Sequence, residues 1–351
     1  SAAPVQKLDT ASIRRMGVTS TADALRRFAG VNLRDYGGAG GLKTVSVRGL
    51  GAQHTVVVYD GVTVSNAQQG QIDLGRFSLD RLAGVELHTA DEGSLLVPVR
   101  QLGAATVVLR SWQPNAQNRG MHGAVALRHG SFGVWNPSVL LSQNWNGRTA
   151  VNVSADYYHG NNAYPFTVKN GVATHREKRL NSQMNDWTLE ANVHHLLRRG
   201  QFSGKVFYVT NHRYLPGPVT LYVSGNNEHL TEQNAFAQLR WEQQYGRWNF
   251  FGAGKADWRE SKYLDIAGRY PGGRLDQRYK QNEIYASAGA SYTWQALTAA
   301  VATDWFRNGL TSNLKLDNDV WRTSWLTSMT LRSAPRRFAL PGGLGSSSFR
   351  S

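Results

Sequence analysis

From Gly120 onward the sequence predicts the antiparallel strands of a transmembrane β-barrel, preceded by a first third of different character. Three observations carry this. Apolar and polar residues alternate at period two through successive segments. Short and long connections alternate between those segments. Tryptophans recur near the segment ends, as in the aromatic girdles of a barrel.

The alternation can be read residue by residue. Thr149, Val151, Val153, Ala155 and Tyr157 interleave with Arg148, Asn152, Ser154 and Asp156. Trp187, Leu189, Ala191 and Val193 oppose Thr188, Glu190, Asn192 and His194. Ala235, Ala237, Leu239 and Trp241 oppose Asn234, Gln238, Arg240 and Glu242. Ile284, Ala286, Ala288, Ala290, Tyr292 and Trp294 oppose Glu283, Ser287, Ser291 and Thr293. About ten such segments of about ten residues are expected, the length of a tilted strand crossing a bilayer.

Asn146-Gly147, Arg198-Arg199-Gly200, Tyr245-Gly246-Arg247 and Gln295-Ala296 read as tight turns. Residues 160–185, 213–232, 261–280 and 307–319 read as long polar loops, and only the link near 130–133 is short on that side. Outer-membrane barrels alternate in this way because one rim faces the periplasm and the other the outside, whereas a soluble sandwich has no reason to. Trp145, Trp187, Trp241, Trp248, Trp258, Trp294, Trp305, Trp321 and Trp325 supply the aromatic belts.

Composition excludes several classes. No stretch approaches the ~18 apolar residues of a membrane helix. Cysteine is absent, which removes disulfides, thiol catalysis and zinc–cysteine or iron–sulfur sites. The net charge of +15 comes from singly scattered arginines rather than a basic run or recognition module, so nucleic acid is not expected as a partner. Ser1-Ala-Ala-Pro-Val carries no signal peptide, so a cleaved signal or a longer precursor is expected.

In the first third, Val45 to Asn66 read VSVRGLGAQHTVVVYDGVTVSN. Val45-Ser46-Val47 and the run from Thr55 to Tyr59 flank a Gly-Leu-Gly break, and Asp60-Gly61 turns the chain into Val62-Thr63-Val64. Upstream stand Ser20-Thr21-Ala22-Asp23-Ala24-Leu25, Gly30-Val31 and the Gly-rich residues 37–41. Together these resemble the plug domain of TonB-dependent outer-membrane receptors, in which "ALR…GV", "(S/I)RG-G", "V-DG-PV" and a D-L segment occur in this order.

The resemblance implies an α+β plug over residues 1–118, followed over 119–351 by antiparallel transmembrane β-barrel strands. A barrel of about eight strands is filled by its own side chains, and one of about 22 can enclose a plug, so about half of a 22-stranded barrel is expected. Leu340-Pro-Gly-Gly-Leu-Gly-Ser-Ser-Ser-Phe-Arg-Ser breaks strand character, which adds to the expectation of a fragment. No TonB box stands upstream of Pro4, so the chain is expected to begin after it. After Arg81 the run Leu82-Ala-Gly-Val-Glu-Leu-His-Thr departs from the commoner "-IEV-RGP-S-LYG" and resembles the Bacteroidetes-type, cobalamin-receptor-like members.

The family implies uptake of a scarce nutrient, cobalamin or an iron siderophore, across the cell outer membrane. Its implied partners are the TonB-ExbB-ExbD complex, outer-membrane lipid, the chelate or cobalamin-type ligand and a surface lipoprotein. The competing reading is a non-transporting outer-membrane β-barrel, an adhesin or a structural partner of a surface lipoprotein. For ligand contact the plug apices Asp35, Tyr36 and the run from Asn66 to Gln71 (Asn66, Gln68, Gln69 and Gln71) are favoured, with Tyr164, Phe166, Tyr214 and Tyr222 on the barrel loops. Arg48, Arg81 and Glu86 match charged plug positions that in the family bridge to the barrel wall.

Other motifs are bland. Residues 37–44 read GGAGGLKT, but Leu42 separates Gly41 from Lys43 and a strand follows, so a phosphate loop is not expected. His194 and His195 point to opposite faces of one strand and cannot share a metal. His159, His175, His212 and His229 read as solvated loop histidines. No catalytic constellation, metal site or cofactor is indicated.

Overall fold

The computed structural model describes residues 5–333 other than 10, 11, 14, 16, 17, 19, 36–42, 65–71, 90–94, 104, 114–118, 172, 218–225, 267–269 and 315–319. Its N-terminal domain contains β1 (Gln6–Asp9), α1 (Thr21–Leu25), β2 (Val31–Asp35), β3 (Lys43–Val47), β4 (Thr55–Tyr59), β5 (Val62–Val64), β6 (Leu82–His88) and β7 (Ala105–Ser111). A five-stranded sheet has the order β1-β6-β7-β4-β5, with β4 and β7 parallel, and β2–β3 forms a separate hairpin. The two runs flanking Gly49-Leu50-Gly51 therefore do not pair with each other: β3 joins β2, while β4 joins β5 and β7.

The core of this domain follows from strand alternation. Ala105, Val107, Leu109 and Ser111 are the buried face of β7, and they pack with Val57, Tyr59, Val85 and Leu87. Helix α1 is one turn, capped by Ser20, whose hydroxyl accepts the Asp23 amide at 3.1 Å. Thr21 donates its hydroxyl to the Phe77 carbonyl, and Ala22, Ala24 and Leu25 are fully buried. At the β4–β5 turn both Asp60 (φ 45°) and Gly61 (φ 81°) lie in the left-handed region, as a type I′ hairpin demands. Lys43 and Thr44 open a strand rather than a helix, which leaves no phosphate-binding helix terminus there.

The second unit is a ten-stranded antiparallel sheet in which neighbours along the chain are neighbours in space. Its strands are β8 (Gly120–Gly130), β9 (Val134–Asn144), β10 (Thr149–Gly160), β13 (Met184–Leu197), β14 (Gly200–Leu215), β15 (Glu228–Tyr245), β16 (Trp248–Asp265), β17 (Leu275–Trp294), β18 (Leu297–Ser312) and β19 (Val320–Ser333). A small hairpin, β11 (Pro165–Asn170) with β12 (Ala173–Lys178), is inserted between β10 and β13. Among the described residues β8 and β19 each have one neighbour, so the sheet is an open arc of a barrel.

The sheet has two chemically different faces. The inner face is largely polar and buried against the N-terminal domain: Asn152, Ser154, Glu190, Lys205, Gln238, Lys255, Glu283 and Asp304 are all on it, with Phe207, Phe236 and Phe306 interspersed. On the outer face Val153, Ala191, Val206, Ala237, Ala256 and Ile284 stand opposite one another in register across six strands. Val206 and Ile284 there are 58% and 57% exposed. An exposed apolar band over a polar interior is the inverse of a soluble protein and fits a sheet facing hydrocarbon.

Aromatic pairs border this band. Tyr157 lies 4.5 Å from Trp187 and 5.9 Å from Trp135 toward the rim with the long connections. Trp248 lies 4.8 Å from Tyr292 at the rim with the tight turns. No helix among the described residues is long and apolar enough to cross a membrane.

The strands run longer than the sequence pattern suggests, up to 20 residues in β17. The loops expected at 213–232 and 261–280 shrink accordingly, because β14 continues to Leu215, β15 begins at Glu228, β16 continues to Asp265 and β17 begins at Leu275. Beyond the apolar band the outer face too becomes largely polar, so pairing continues where alternation stops. Trp258 and Trp305 therefore sit well inside their strands. His159, His212 and His229 are likewise strand residues, not loop residues. His159 pairs with Asn185 at 2.7 Å and His212 with Thr231 at 2.8 Å. His194 and His195 take opposite faces: His194 is buried inside, and His195 meets the Thr149 hydroxyl at 2.8 Å.

Candidate functional site

The inner face of the sheet grips the N-terminal domain mainly through charge and hydrogen bonds. Lys205 on β14 lies 2.6 Å from Glu190 on β13 and 3.0 Å from Asp60 at the β4–β5 turn. Its ammonium also sits 3.6 Å from the centre of the Tyr59 ring. Glu190 accepts further hydrogen bonds from the Tyr59 hydroxyl at 2.7 Å and the Asn192 amide at 2.7 Å. Burial first, and then the Glu190 carboxylate, push the Tyr59 hydroxyl well above its ordinary range, so it stays a donor.

Arg81 reaches the same cluster, 3.4 Å from Asp156 and 3.8 Å from Glu190. Its Nε and Nη1 are buried without a hydrogen-bond partner. Elsewhere Arg100 meets Glu283 at 3.1 Å and its amide donates to Asp304 at 2.8 Å. Arg128 on β8 pairs with Asp80 at 2.5 Å. Backbone carbonyls are gripped as well: Gln238 donates to Tyr59, Arg240 to Gly61 and Lys255 to Thr63, at 2.6–3.0 Å. A Cβ on Gly61 would fall 2.5 Å from the Arg240 guanidinium, so glycine is needed there for contact as well as for conformation.

The other two charged positions singled out in the sequence stay within the N-terminal domain. Arg48 donates to Thr89 at 3.3 Å. Glu86 is held by Arg110 at 3.1 Å, His88 at 3.0 Å and Lys7 at 3.4 Å, because β1 and β7 flank β6 and point their basic residues at it. Burial raises the Glu86 carboxyl, but the hydrogen bonds from Arg110 and His88 and the charges of Arg110 and Lys7 outweigh it and bring it down to about 2. An unfolded glutamate takes its proton near 4.5. The contribution of Glu86 to stability is thus complete above that pH, declines as pH falls, and is gone below about 2. Glu86→Gln is expected to flatten the acid arm of a stability profile between pH 5 and 2 (about the window between the two values) while leaving neutral pH less stable than wild type. A parallel acid arm in the variant would remove Glu86 from this role.

On the side of the long connections a cavity of about 730 Å³ opens between the two units. Lys43, Asp73 and Arg76 lie on its floor, and Asp186, Arg213 and Arg259 on its wall. Arg213 is held by Glu232 at 2.7 Å and Asp73 at 3.9 Å. Among the described residues around the cavity, Arg76 Nε, Arg259 Nη2 and Asp186 Oδ1 are buried without a hydrogen-bond partner, and Asp156 Oδ1 has only the Arg81 guanidinium at 3.4 Å. Such groups are costly to leave unmet, so the cavity is prepared for a polar occupant.

Of the residues favoured for ligand contact, Asp35 ends β2 and pairs in register with Lys43 at the cavity floor. Tyr164 and Phe166 sit at the β11 hairpin, 6.3 Å apart, with Phe132 6.2 Å from Tyr164. Tyr214 is on the outer face of β14, edge-on to His229 at 4.4 Å, because its neighbour Arg213 takes the inward position. Tyr36, Asn66, Gln68, Gln69, Gln71 and Tyr222 lie outside the described residues. None of the described four lines the cavity. The charged wall residues Asp186, Arg213 and Arg259 that do are inward members of alternating strands, which the sequence marks as inward but not as cavity-lining.

Among the described residues no group of three metal-ligating side chains is assembled. Residues 1–105 match the family model of the TonB-dependent Receptor Plug Domain. The fold is that of a plug-and-barrel outer-membrane receptor. Superposition agrees: the siderophore receptor PirA from Acinetobacter baumannii matches with a TM-score of 0.64 at 12% identity, over 88% of this chain and 48% of that one. The copper transporter OprC matches at 0.64 and 11% identity, over 91% and 50%. The ferric citrate transporter FecA matches at 0.58 and 10% identity, over 96% and 61%. The chain thus spans about half the length of the first two of these structures. In these terms the five-stranded domain is the plug and the ten-stranded arc is barrel wall.

Proposed function

We propose that the chain forms the plug and about half the barrel wall of a TonB-dependent receptor that imports a scarce nutrient through the outer membrane, with residues 1–118 as plug and 119–351 as wall. The observation that carries this is the cavity on the long-connection side, floored by Lys43, Asp73 and Arg76 and walled by Asp186, Arg213 and Arg259. Short turns mark the periplasmic rim and long connections the outside, so the cavity faces the medium. A ligand entering there meets the charged side chains of Lys43, Asp73, Arg76, Asp186, Arg213 and Arg259 and is stopped by the plug. Arg81 bridges plug and wall, and Asp35, Tyr164 and Phe166 stand on the outward side as further contacts. Energy comes from a TonB-ExbB-ExbD complex pulling on the plug from the periplasm.

The ligand is cobalamin or an iron–siderophore complex. The run after Arg81 supports cobalamin and a surface lipoprotein partner through its resemblance to Bacteroidetes-type receptors. The superposed structures, a siderophore receptor, a copper transporter and a ferric citrate transporter, support a metal chelate. The test is equilibrium binding, by tryptophan fluorescence, of cyanocobalamin and of ferric hydroxamate, catecholate and citrate chelates to the detergent-solubilised protein. One class should bind, and Arg76→Gln with Arg259→Gln should weaken it by about tenfold or more, the worth of a charge-assisted hydrogen bond. Unchanged binding in both variants removes the cavity as the site. Binding of none of the probes supports the non-transporting alternative.

A further inference from the structure

The outer face of the wall holds a feature that nutrient uptake does not use. Followed across the sheet in register near the outward rim, one row reads His159, Asn185, His212, Thr231, Lys262 and Arg278. The strands β10 to β15 contribute neutral or weakly basic residues to it, and permanent positive charge begins at β16. The next row toward the membrane ends in Glu260 and Lys280, also paired in register.

Lys280 stands four residues, about 13 Å, along β17 from Ile284 in the apolar band. Arg307 on β18 is exposed on the same face, opposite Ile284, with its guanidinium 4.7 Å from the Trp321 ring. Counting this face of β16–β18, four cations (Lys262, Arg278, Lys280 and Arg307) face two carboxylates (Glu260 and Asp276). Arg278 occupies Asp276 through two hydrogen bonds of 3.2 Å. Among the described residues Lys262 and Lys280 have no carboxylate within ion-pair distance.

Lysines without an ion-pair partner on the lipid side of a barrel, just above its apolar band, have one class of partner at that depth. Their methylene stems lie along apolar surface while the ammonium groups rise to the headgroups, and Arg307 does the same over an indole. A soluble anion would gain nothing from a site on this face. We infer that β16–β18 carry a docking site for a phosphorylated lipid of the outer leaflet, its phosphates held by Lys262 and Lys280 and flanked by Arg278 and Arg307. The site is local, since the matching row of β10–β15 lacks permanent charge. It rests on the outer-membrane reading of the sheet but not on the nutrient, so loss of either binding with the other intact separates the two.

The test is native mass spectrometry of the detergent-solubilised protein titrated with diphosphorylated lipid A. Lys262→Gln/Lys280→Gln is expected to weaken binding by at least tenfold, at ~fivefold for each lysine near a charged lipid surface. Arg198→Gln/Arg199→Gln, an equal loss of charge at an exposed turn on the opposite rim, should leave it unchanged. Equal loss in both variants, or none in either, overturns the site. Should the lysine variant fail to fold, the wild-type protein decides with dephosphorylated lipid A: binding as tight as that of the diphosphorylated form overturns the proposal, and a tenfold or greater loss upholds it.

Discussion

Lys205→Met is expected to loosen the plug from the wall by about 3–5 kcal/mol, the cost of leaving buried charges without their partner. The lysine side chain is 2% exposed and lies between two carboxylates on different units, Asp60 of the plug and Glu190 of the wall. Its removal leaves Asp60 with the Ser111 amide and hydroxyl, at 2.8 and 2.6 Å, and Glu190 with Tyr59 and Asn192. Those hydrogen bonds keep the carboxylates solvated but do not neutralise them. Arg81→Met should cost less, about 1–2 kcal/mol. Arg81 approaches Asp156 and Glu190 only to 3.4 and 3.8 Å, and two of its nitrogens lack hydrogen-bond partners. Hydrogen exchange of the β4 and β6 amides in the solubilised protein measures both variants. Equal loss of protection, or greater loss in Arg81→Met, would show that ion-pair distance does not set the hierarchy.

The same contrast shows what could be seen in the sequence. Asp60-Gly61 announces its turn, because only a type I′ hairpin needs two left-handed residues in a row between β-branched runs. Val151 and Val153 against Asn152 and Ser154 announce a two-faced strand, because a one-residue slip would put asparagine in hydrocarbon. What the alternation cannot show is what an inward polar residue meets. Glu190, Asp186 and Asn192 follow one another on the same side of β13, yet Glu190 meets the plug and Asp186 a cavity. The difference depends on the height of the plug inside the wall, which no local pattern encodes.

Strand ends were hidden for a related reason. From Glu228 to Gln233 only Leu230 of β15 is apolar, so pairing continues without periodicity. Tyr214 reads as a loop residue in the sequence and is a strand residue on the outer face. Glu86 and Arg110, 24 residues apart, meet because β6 and β7 are antiparallel neighbours. Composition alone marks both as charged and gives no reason to join them.

Phe207→Ala should be the costliest apolar truncation in the interface, at about 3–5 kcal/mol for a buried phenylalanine whose cavity cannot collapse. Phe207 is a wall residue, 1% exposed, that points into the plug. It stacks on Phe236 of the neighbouring strand at 4.9 Å and meets plug Phe77 at 6.0 Å and Tyr59 at 6.5 Å. The rigid strands β14 and β15 hold its backbone, so the space it leaves stays open. Val206→Ala, one residue away on the outer face, provides the control. It removes a side chain from lipid rather than from the interface, and plug protection should be unchanged within about 0.5 kcal/mol. Equal protection in Phe207→Ala and Val206→Ala would mean that the plug is held by its polar contacts alone. On the transport function proposed above, the distinction bears on how the plug would open. When the plug shifts, water can replace the partners of Lys205, Arg81 and Arg100 as each contact opens, which lowers the cost of separation. Nothing in water replaces the contacts of Phe207 with Phe77 and Tyr59, so this aromatic clamp is the part of the interface that resists spontaneous opening and that, in the proposed transport cycle, a pull on the plug would have to overcome.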